Sequence, residues 1–111
     1  MVCHLADQLR VGLGMIPTIP TRSFAGRTIV KWVVLHTAFQ PPPGKVETAP
    51  EMLTTRPTNF ADDVAEVERL IEKLGTTPAS AVHPFFGPLD HAGWARLAWK
   101  HLDHHLRQFG C

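Results

Sequence analysis

The chain has 111 residues, 44% of them hydrophobic and 19% charged, with a formal net charge of +1 at pH 7 when histidine is neutral. This length and composition are typical of one small globular domain with a hydrophobic core. The nearly balanced charge argues against nucleic acid as a partner, and no apolar run approaches the roughly 20 residues that a membrane span requires.

The first predicted element is a helix that begins almost at residue 1. Apolar residues recur there at helical spacing: Val2, Leu5, Leu9 and Leu13. Asp7, Gln8 and Arg10 give this helix polar positions, and the glycines and prolines of residues 12–20 end it. His4 lies on the flank of the apolar stripe and has two interpretations: a boundary histidine near a frayed end, or a metal ligand.

The cell compartment is inferred from the start of the chain and from the cysteines. No basic region precedes an apolar one near Met1, so a secretory signal is not predicted. Cys3 and Cys111 stand at opposite ends of the chain without the spacing of a disulfide framework. We therefore expect a cytoplasmic protein.

An irregular connection over residues 15–27 leads to a second apolar segment, residues 28–39. Its β-branched residues favour a strand, whereas Ile29, Val33, Leu35 and His36 would suit the buried side of a short helix. We predict a helix, because no partner strand is evident elsewhere. His36 is a further ligand candidate, interpreted mainly as a boundary residue.

Residues 41–44, Pro-Pro-Pro-Gly, break the chain, and a long extended loop is predicted over residues 45–57. Loops of this length in small domains often cover a functional site. The simpler interpretation, which we favour, is a strap packed along the helices.

The third predicted helix begins after Asn59 as its N-cap and ends at Gly75. Its predicted buried face comprises Phe60, Val64, Val67, Ile71 and Leu74. Acidic residues are predicted to face solvent and not to form a cation site: Asp62, Asp63, Glu66, Glu68 and Glu72. Residues 81–89 then form a tight aromatic connector.

The last predicted helix spans residues 90–109, with Asp90 as its N-cap. Its apolar arc comprises Trp94, Leu97, Ala98, Leu102 and Phe109. Its polar arc comprises Arg96, Lys100, Asp103 and Arg107. The fold class predicted from these elements is all-α, with about three main helices and a long Pro-rich loop.

His101 and His105 lie in the apolar arc of this helix, one turn apart. Two stacked imidazoles facing a core suit a metal site inside a helical bundle, although core histidines satisfied by hydrogen bonds would show the same pattern. A metal site needs a third ligand from elsewhere in the chain. His104, at the edge of the arc, is either a solvated histidine or a general base.

Two segments carry a resemblance to a known family: His-Pro-Phe-Phe-Gly-Pro-Leu at residues 83–89, and His-Leu-Asp-His-His-Leu-Arg-Gln-Phe-Gly at residues 101–110. Together with Trp94 they resemble a family of unknown function in the DinB/YfiT-like superfamily of metalloenzymes, and the match spans the whole chain. The resemblance implies a four-helix bundle in up-down-down-up order, often dimeric. The family's first helix has no counterpart, so residues 1–111 are expected to be one DinB-like domain that is incomplete at its N-terminus.

The resemblance also implies a metal site. Superfamily members carry a divalent metal on three histidines, and His4, His101 and His105 match those positions, whereas Gln108 matches a Gln that follows the pair. The expected cofactor is a divalent transition metal such as Zn, Ni or Fe. Asp103, His104 and Gln108 are the nearest candidates to orient the ligating rings.

The resemblance implies two activities on a small-molecule substrate, metal-dependent hydrolysis or thiol S-transfer. The alternative is a non-catalytic helical interaction module or an inactive fragment. A homodimer is the expected assembly, with neither nucleic acid nor membrane as a partner.

Overall fold

The computed structural model describes residues 1–18, 26–38, 48–78 and 81–111. The helices in these ranges are α1 (Val2–Gly12), α2 (Lys31–His36), α3 (Phe60–Thr76) and α4 (His91–Gln108). Two short strands, β1 (Val82–His83) and β2 (Gly87–Pro88), pair antiparallel. The predicted all-α class is confirmed. Within the described ranges, no helix has both the length and the apolar character needed to cross a bilayer.

Helix α1 is the element around which the others pack, since it contacts α3, α4, β1 and the turn at Pro50–Met52. Its apolar side chains are buried as predicted: Leu5, Ala6, Leu9 and Val11. Two of its polar positions, Asp7 and Gln8, are also buried, which the sequence did not predict. A helix surrounded on several sides has no solvent-facing stripe wide enough for every polar residue.

The second segment is helical, as predicted, but its buried side differs from the prediction. A π-helical turn at Gly26–Val30 precedes α2, and its wider turn shifts the phase of the side chains that follow. Leu35 is buried as predicted and Val34 is buried beside it, whereas Ile29, within the π-helical turn, is 69% exposed. Lys100 on α4 donates to the carbonyls of Val34 and Thr37, which holds α2 against α4.

Helix α3 begins as predicted, since the Asn59 side chain accepts hydrogen bonds from the backbone N–H groups of Ala61 and Asp62. Its buried stripe is narrower than predicted and comprises Val67, Leu70 and Leu74. Phe60 and Ile71 are exposed, because the i, i+3, i+7 spacing of the buried stripe places them on its flank or beyond its end. The helix continues through Gly75 to Thr76.

Helix α4 is capped by Asp90, whose carboxylate accepts from the N–H of Gly93 at 2.8 Å. Trp94, Leu97 and Ala98 are buried as predicted, whereas Phe109 follows the end of the helix and is exposed. A Cβ atom added at Gly12 would lie 2.9 Å from Trp94 Cε3, so α1 and α4 approach closely at this point. Near the other end of α1, the ring of His4 packs against that of His101, so the two helices run antiparallel.

Residues 48–57 form a strap along α1, as predicted for this part of the loop. The strap contains a 3₁₀ turn, Pro50–Met52, and buries Ala49 and Met52. The predicted break at residues 41–44, with the rest of residues 39–47, lies outside the described residues, as do residues 19–25 of the irregular connection.

Candidate metal centre

His4, His101 and His105 converge at the α1–α4 interface. One ring nitrogen of each lies within 4.8 Å of the others. His101 Nε2 is 2.9 Å from His4 Nε2 and 3.1 Å from His105 Nε2. The rings are nearly perpendicular, with interplanar angles of 81° to 85°, so their nitrogens, and not their faces, meet at the centre. The antiparallel packing of α1 against two turns of α4 creates this arrangement.

The hydrogen bonds on the outer side of two rings determine their tautomers. His4 Nδ1 lies 3.0 Å from the carbonyl oxygen of Met52, and His105 Nδ1 lies 2.8 Å from Gln108 Oε1. Both oxygens are acceptors only, so each Nδ1 carries the hydrogen and each Nε2 has a lone pair. His101 Nε2 can donate one hydrogen to only one of these two lone pairs. The centre therefore has an excess of electron pairs over hydrogens.

His101 and His105 are held in their neutral form. Burial, together with the charges that His4 and His105 would carry if protonated, lowers the pKa of His101 to about 2. Burial also lowers the pKa of His105. A neutral imidazole is the form that binds a metal ion, so at pH 7 no proton competes strongly for the nitrogens of His101 and His105.

The donor set and its dimensions fit a transition metal. Zn²⁺ binds imidazole nitrogen at about 2.0–2.1 Å, which in tetrahedral geometry separates two nitrogens by roughly 3.3 Å. The Nε2 separations of 2.9 and 3.1 Å require only a small outward movement to reach that value. Three neutral nitrogen ligands suit Zn, Ni and Fe alike.

A second polar cluster, around Asp7, fixes the strap that supplies the carbonyl of Met52. Asp7 Oδ2 accepts from the N–H groups of Thr54 and Thr55 at 2.7 and 2.8 Å. Asp7 Oδ1 accepts from the Thr55 hydroxyl and, at 3.1 Å, from Arg10 Nη1. Burial alone would raise the pKa of Asp7, but the hydrogen bonds from Thr55 and Thr54 outweigh it and lower the pKa below its usual value.

Arg10 extends the Asp7 cluster to α3. Its Nη1 donates to Thr55 Oγ1 at 2.8 Å and its Nη2 donates to Glu66 Oε1 at 2.9 Å. Glu66 also accepts from Arg69, and these bonds lower its pKa to about 2. The prediction of a purely solvated acidic face on α3 is therefore wrong at Glu66. Sequence reasoning missed Asp7, because a single Asp among polar helix positions carries no signal of burial.

The three predicted orienting residues have different surroundings. Gln108 contacts a ring of the centre directly, through His105 Nδ1. The ring of His104 lies 5.2 Å from that of His105, measured between centroids. Asp103 accepts from Arg107 Nε at 2.9 Å, one turn along α4. Met52, whose backbone oxygen contacts His4, could not be found from sequence, because any residue has that carbonyl.

The ligand candidate His36, and also Cys3 and His83, are not part of this group of three histidines. His36 is exposed and lies 2.7 Å from Arg96, measured between Nδ1 and Nη1. Cys3 directs its sulfur toward Asp63 Oδ2, 3.8 Å away, and burial followed by the charge of Asp63 raises the pKa of its thiol. His83 is buried beside Phe86 and Trp94.

Comparison with known proteins identifies a family but no function. A family model described as "Protein of unknown function (DUF1569)" matches residues 1–110. No curated protein and no solved structure matches the chain.

Proposed function

The chain belongs to the DUF1569 family, and from the site itself we propose that it is a metalloprotein that holds one divalent transition metal ion on His4, His101 and His105. The observation that carries this proposal is the convergence of the three Nε2 atoms. Two of them present lone pairs to a common point, because Met52 and Gln108 take up the opposite ring hydrogens. A cation is the occupant that such a set of electron pairs attracts.

We propose further that the centre is catalytic. Three protein ligands leave at least one coordination position open, which distinguishes catalytic zinc sites from closed structural ones. When bound, the ion would supply a Lewis acid able to activate a water molecule or to hold a thiolate. These two capacities correspond to hydrolysis of a small molecule and to thiol S-transfer, the activities implied by the resemblance to the DinB/YfiT-like superfamily.

The protein's own contribution is to keep His101 and His105 neutral by burial and to orient the rings. The carbonyl of Met52 and the amide of Gln108 each fix one ring by its Nδ1 hydrogen. The Asp7 cluster holds the strap, and so the carbonyl of Met52, against α1. Ligand geometry is thus specified by backbone and side chains that do not touch the ion.

Metal analysis of untagged protein tests the proposal. We expect about one equivalent of Zn, Ni or Fe per chain by elemental analysis, as for a site with three imidazole ligands. His4→Ala, His101→Ala and His105→Ala should each abolish metal retention on gel filtration. His91→Ala, which removes a histidine from the same helix as His101 but away from the centre, is the matched control and should retain the metal.

Two results would contradict the proposal. One is a folded protein that takes up none of these ions after incubation and desalting. The other is stoichiometric uptake that survives His101→Ala, which would place the ion elsewhere.

A second candidate function is a non-catalytic interaction module, and exposed tryptophans favour it. Trp32 on α2 and Trp99 on α4 are 61% and 66% exposed, whereas the third tryptophan, Trp94, is buried in the core. Aromatic residues of this kind are enriched at protein–protein interfaces. A second copy of the chain is the simplest partner, and sedimentation of the wild type and of Trp99→Ser would test for a homodimer.

A further inference from the structure

Among the described residues, two buried side-chain atoms lack a hydrogen-bond partner: Gln8 Oε1 and His101 Nδ1. One of these atoms is an acceptor, and the other becomes a donor when it carries the ring hydrogen. Gln8 is only 3% exposed. A buried polar atom without a partner is costly, and each such atom in a native protein calls for an explanation.

The packing of α1 against α4 places these two residues in neighbouring layers. Gln8 lies one helical turn after His4 and one turn before Gly12, on the same side of α1. His4 contacts His101 on α4, and Gly12 abuts Trp94 two turns earlier on that helix. Gln8 therefore lies along the α1–α4 contact, next to the layer that contains His101.

The hydrogens of the centre explain why both atoms lack partners. His101 Nε2 lies between two lone pairs, those of His4 and His105, and satisfies one of them when it carries the ring hydrogen. His101 Nδ1 is then an acceptor, as Gln8 Oε1 is, so the two atoms cannot bond to each other. If Nε2 instead binds an ion, the ring hydrogen must be on Nδ1, and His101 then has a buried donor in the layer next to the acceptor of Gln8.

We infer that Gln8 is a positioning residue for His101, whose Nδ1–H donates to Gln8 Oε1 in the metal-loaded protein. The inference rests on the proposed metal site. The two atoms are not bonded to each other in this structure, so their pairing requires a side-chain rotation upon loading. With Gln8, each of the three rings has its own oxygen acceptor: Met52 for His4, Gln108 for His105 and Gln8 for His101.

The inference predicts opposite effects of Gln8→Leu on metal affinity and on stability. Loss of an outer hydrogen-bond partner typically weakens metal binding about 10–100-fold, so we expect the Zn²⁺ dissociation constant, measured by competition with a chelator, to rise by that factor. The melting temperature of the metal-free protein should stay the same or increase, because a buried acceptor without a donor has been replaced by an apolar side chain. Gln8→Glu, which keeps an oxygen acceptor, should bind Zn²⁺ as tightly as the wild type or more tightly.

Two outcomes would overturn the inference while leaving the proposed site intact. One is wild-type zinc affinity in Gln8→Leu. The other is an equal loss in Gln8→Leu and Gln8→Glu, which would indicate a packing role. A wild type that binds no Zn²⁺ would instead contradict the proposed function, and this inference with it.

A measurement on the wild type does not depend on whether the variants fold. Long-range ¹H–¹⁵N spectra of histidine-labelled protein loaded with Zn²⁺ report the tautomer of each ring. We expect His101 to carry its hydrogen on Nδ1, with slow exchange against solvent. A His101 ring with its hydrogen on Nε2, or an Nδ1 hydrogen that exchanges at once, would overturn the inference.

Discussion

Two polar clusters include side chains of α1, and they differ in how many of their polar atoms have a hydrogen-bond partner. The Asp7 carboxylate, fully buried, receives bonds at both oxygens from the strap and from Arg10. In the three-histidine centre, the lone pairs of the ring nitrogens outnumber the ring hydrogens that could bond to them, and His101 Nδ1 has no hydrogen-bond partner. A completed buried network stabilises a fold, whereas a buried polar atom without a partner calls for an explanation, and a bound ion is one such explanation. The comparison indicates a structural role for Asp7 and agrees with the metal-binding role proposed for the histidines.

The largest effect on stability is expected from a substitution that removes the Asp7 carboxylate, the shared acceptor of the completed cluster. Asp7→Ala leaves two backbone N–H groups of the strap and the guanidinium of Arg10 without their shared acceptor. Removing one partner from a buried ionic network costs about 3–5 kcal/mol. We expect a loss of that size in the free energy of unfolding of the metal-free protein, measured by urea denaturation.

Glu68→Ala is the control for this variant, because Glu68 is an exposed acidic residue on α3. Its expected effect is within about 0.5 kcal/mol of zero, as for most surface substitutions. An Asp7→Ala protein as stable as Glu68→Ala would remove the distinction between the two clusters.

The sequence predicted the helices well, but it predicted only part of the polar interior. Periodicity and capping residues located α1, α3 and α4, because Asn59, Asp90 and the glycines after α1 are local signals that act within one turn. Whether Asp7 and Gln8 are buried, and whether Glu66 pairs with Arg10, depends on which elements pack against α1 and α3. Local spacing carries no such information.

The histidines show the same division between local and long-range information. The i, i+4 spacing of His101 and His105 predicts that they share a face of one helix, and no tertiary contact is needed for that. His4 is 97 residues from His101 in the chain. A metal ligand was one of two interpretations of His4 from its position alone, and only the family resemblance favoured it. The contact of Gln108 with His105 is local, whereas the contacts made by Met52 and Asp7 depend on the path of the strap.

His83 differs from His101, because it is a buried histidine whose Nδ1 has hydrogen-bond donors. Its Nδ1 accepts from the backbone N–H groups of Phe85 and Phe86 at 3.1 and 3.2 Å. Burial lowers its pKa from 6.5 to about 4. Protonation therefore favours the unfolded chain: the stabilising contribution is complete above pH 6.5 and is lost as the pH falls from 6.5 to 4. At 1.36 kcal/mol per pKa unit, the loss is about 3 kcal/mol.

His83→Asn isolates this contribution. The Asn oxygen replaces Nδ1 as an acceptor but does not titrate, so the decline in unfolding free energy between pH 7 and pH 4 should be smaller than in the wild type by about 3 kcal/mol. Urea denaturation at both pH values, with EDTA present, measures the difference. Equal declines in the two proteins would show that His83 does not contribute to the acid sensitivity.

The smallest change in stability is expected for a substitution in the three-histidine centre, where the hydrogen bonds are incomplete. His101→Leu removes a buried nitrogen that has no partner, so the unfolding free energy of the metal-free protein should change by less than about 1 kcal/mol. The wild type should gain about 2.7 kcal/mol from Zn²⁺ at 100 times its dissociation constant, and the variant should gain nothing. A loss in the metal-free variant as large as that of Asp7→Ala would assign His101 a structural role.

The central claim, that three imidazoles from α1 and α4 share one ion, is tested most directly by X-ray absorption at the zinc edge of the loaded protein. We expect three imidazole nitrogens at about 2.0–2.1 Å from the zinc ion, with a light atom from solvent as a further ligand. The His105→Ala protein should lose this signature. A spectrum with sulfur at about 2.3 Å, the distance of a cysteine ligand, or with fewer than three imidazoles, would contradict it.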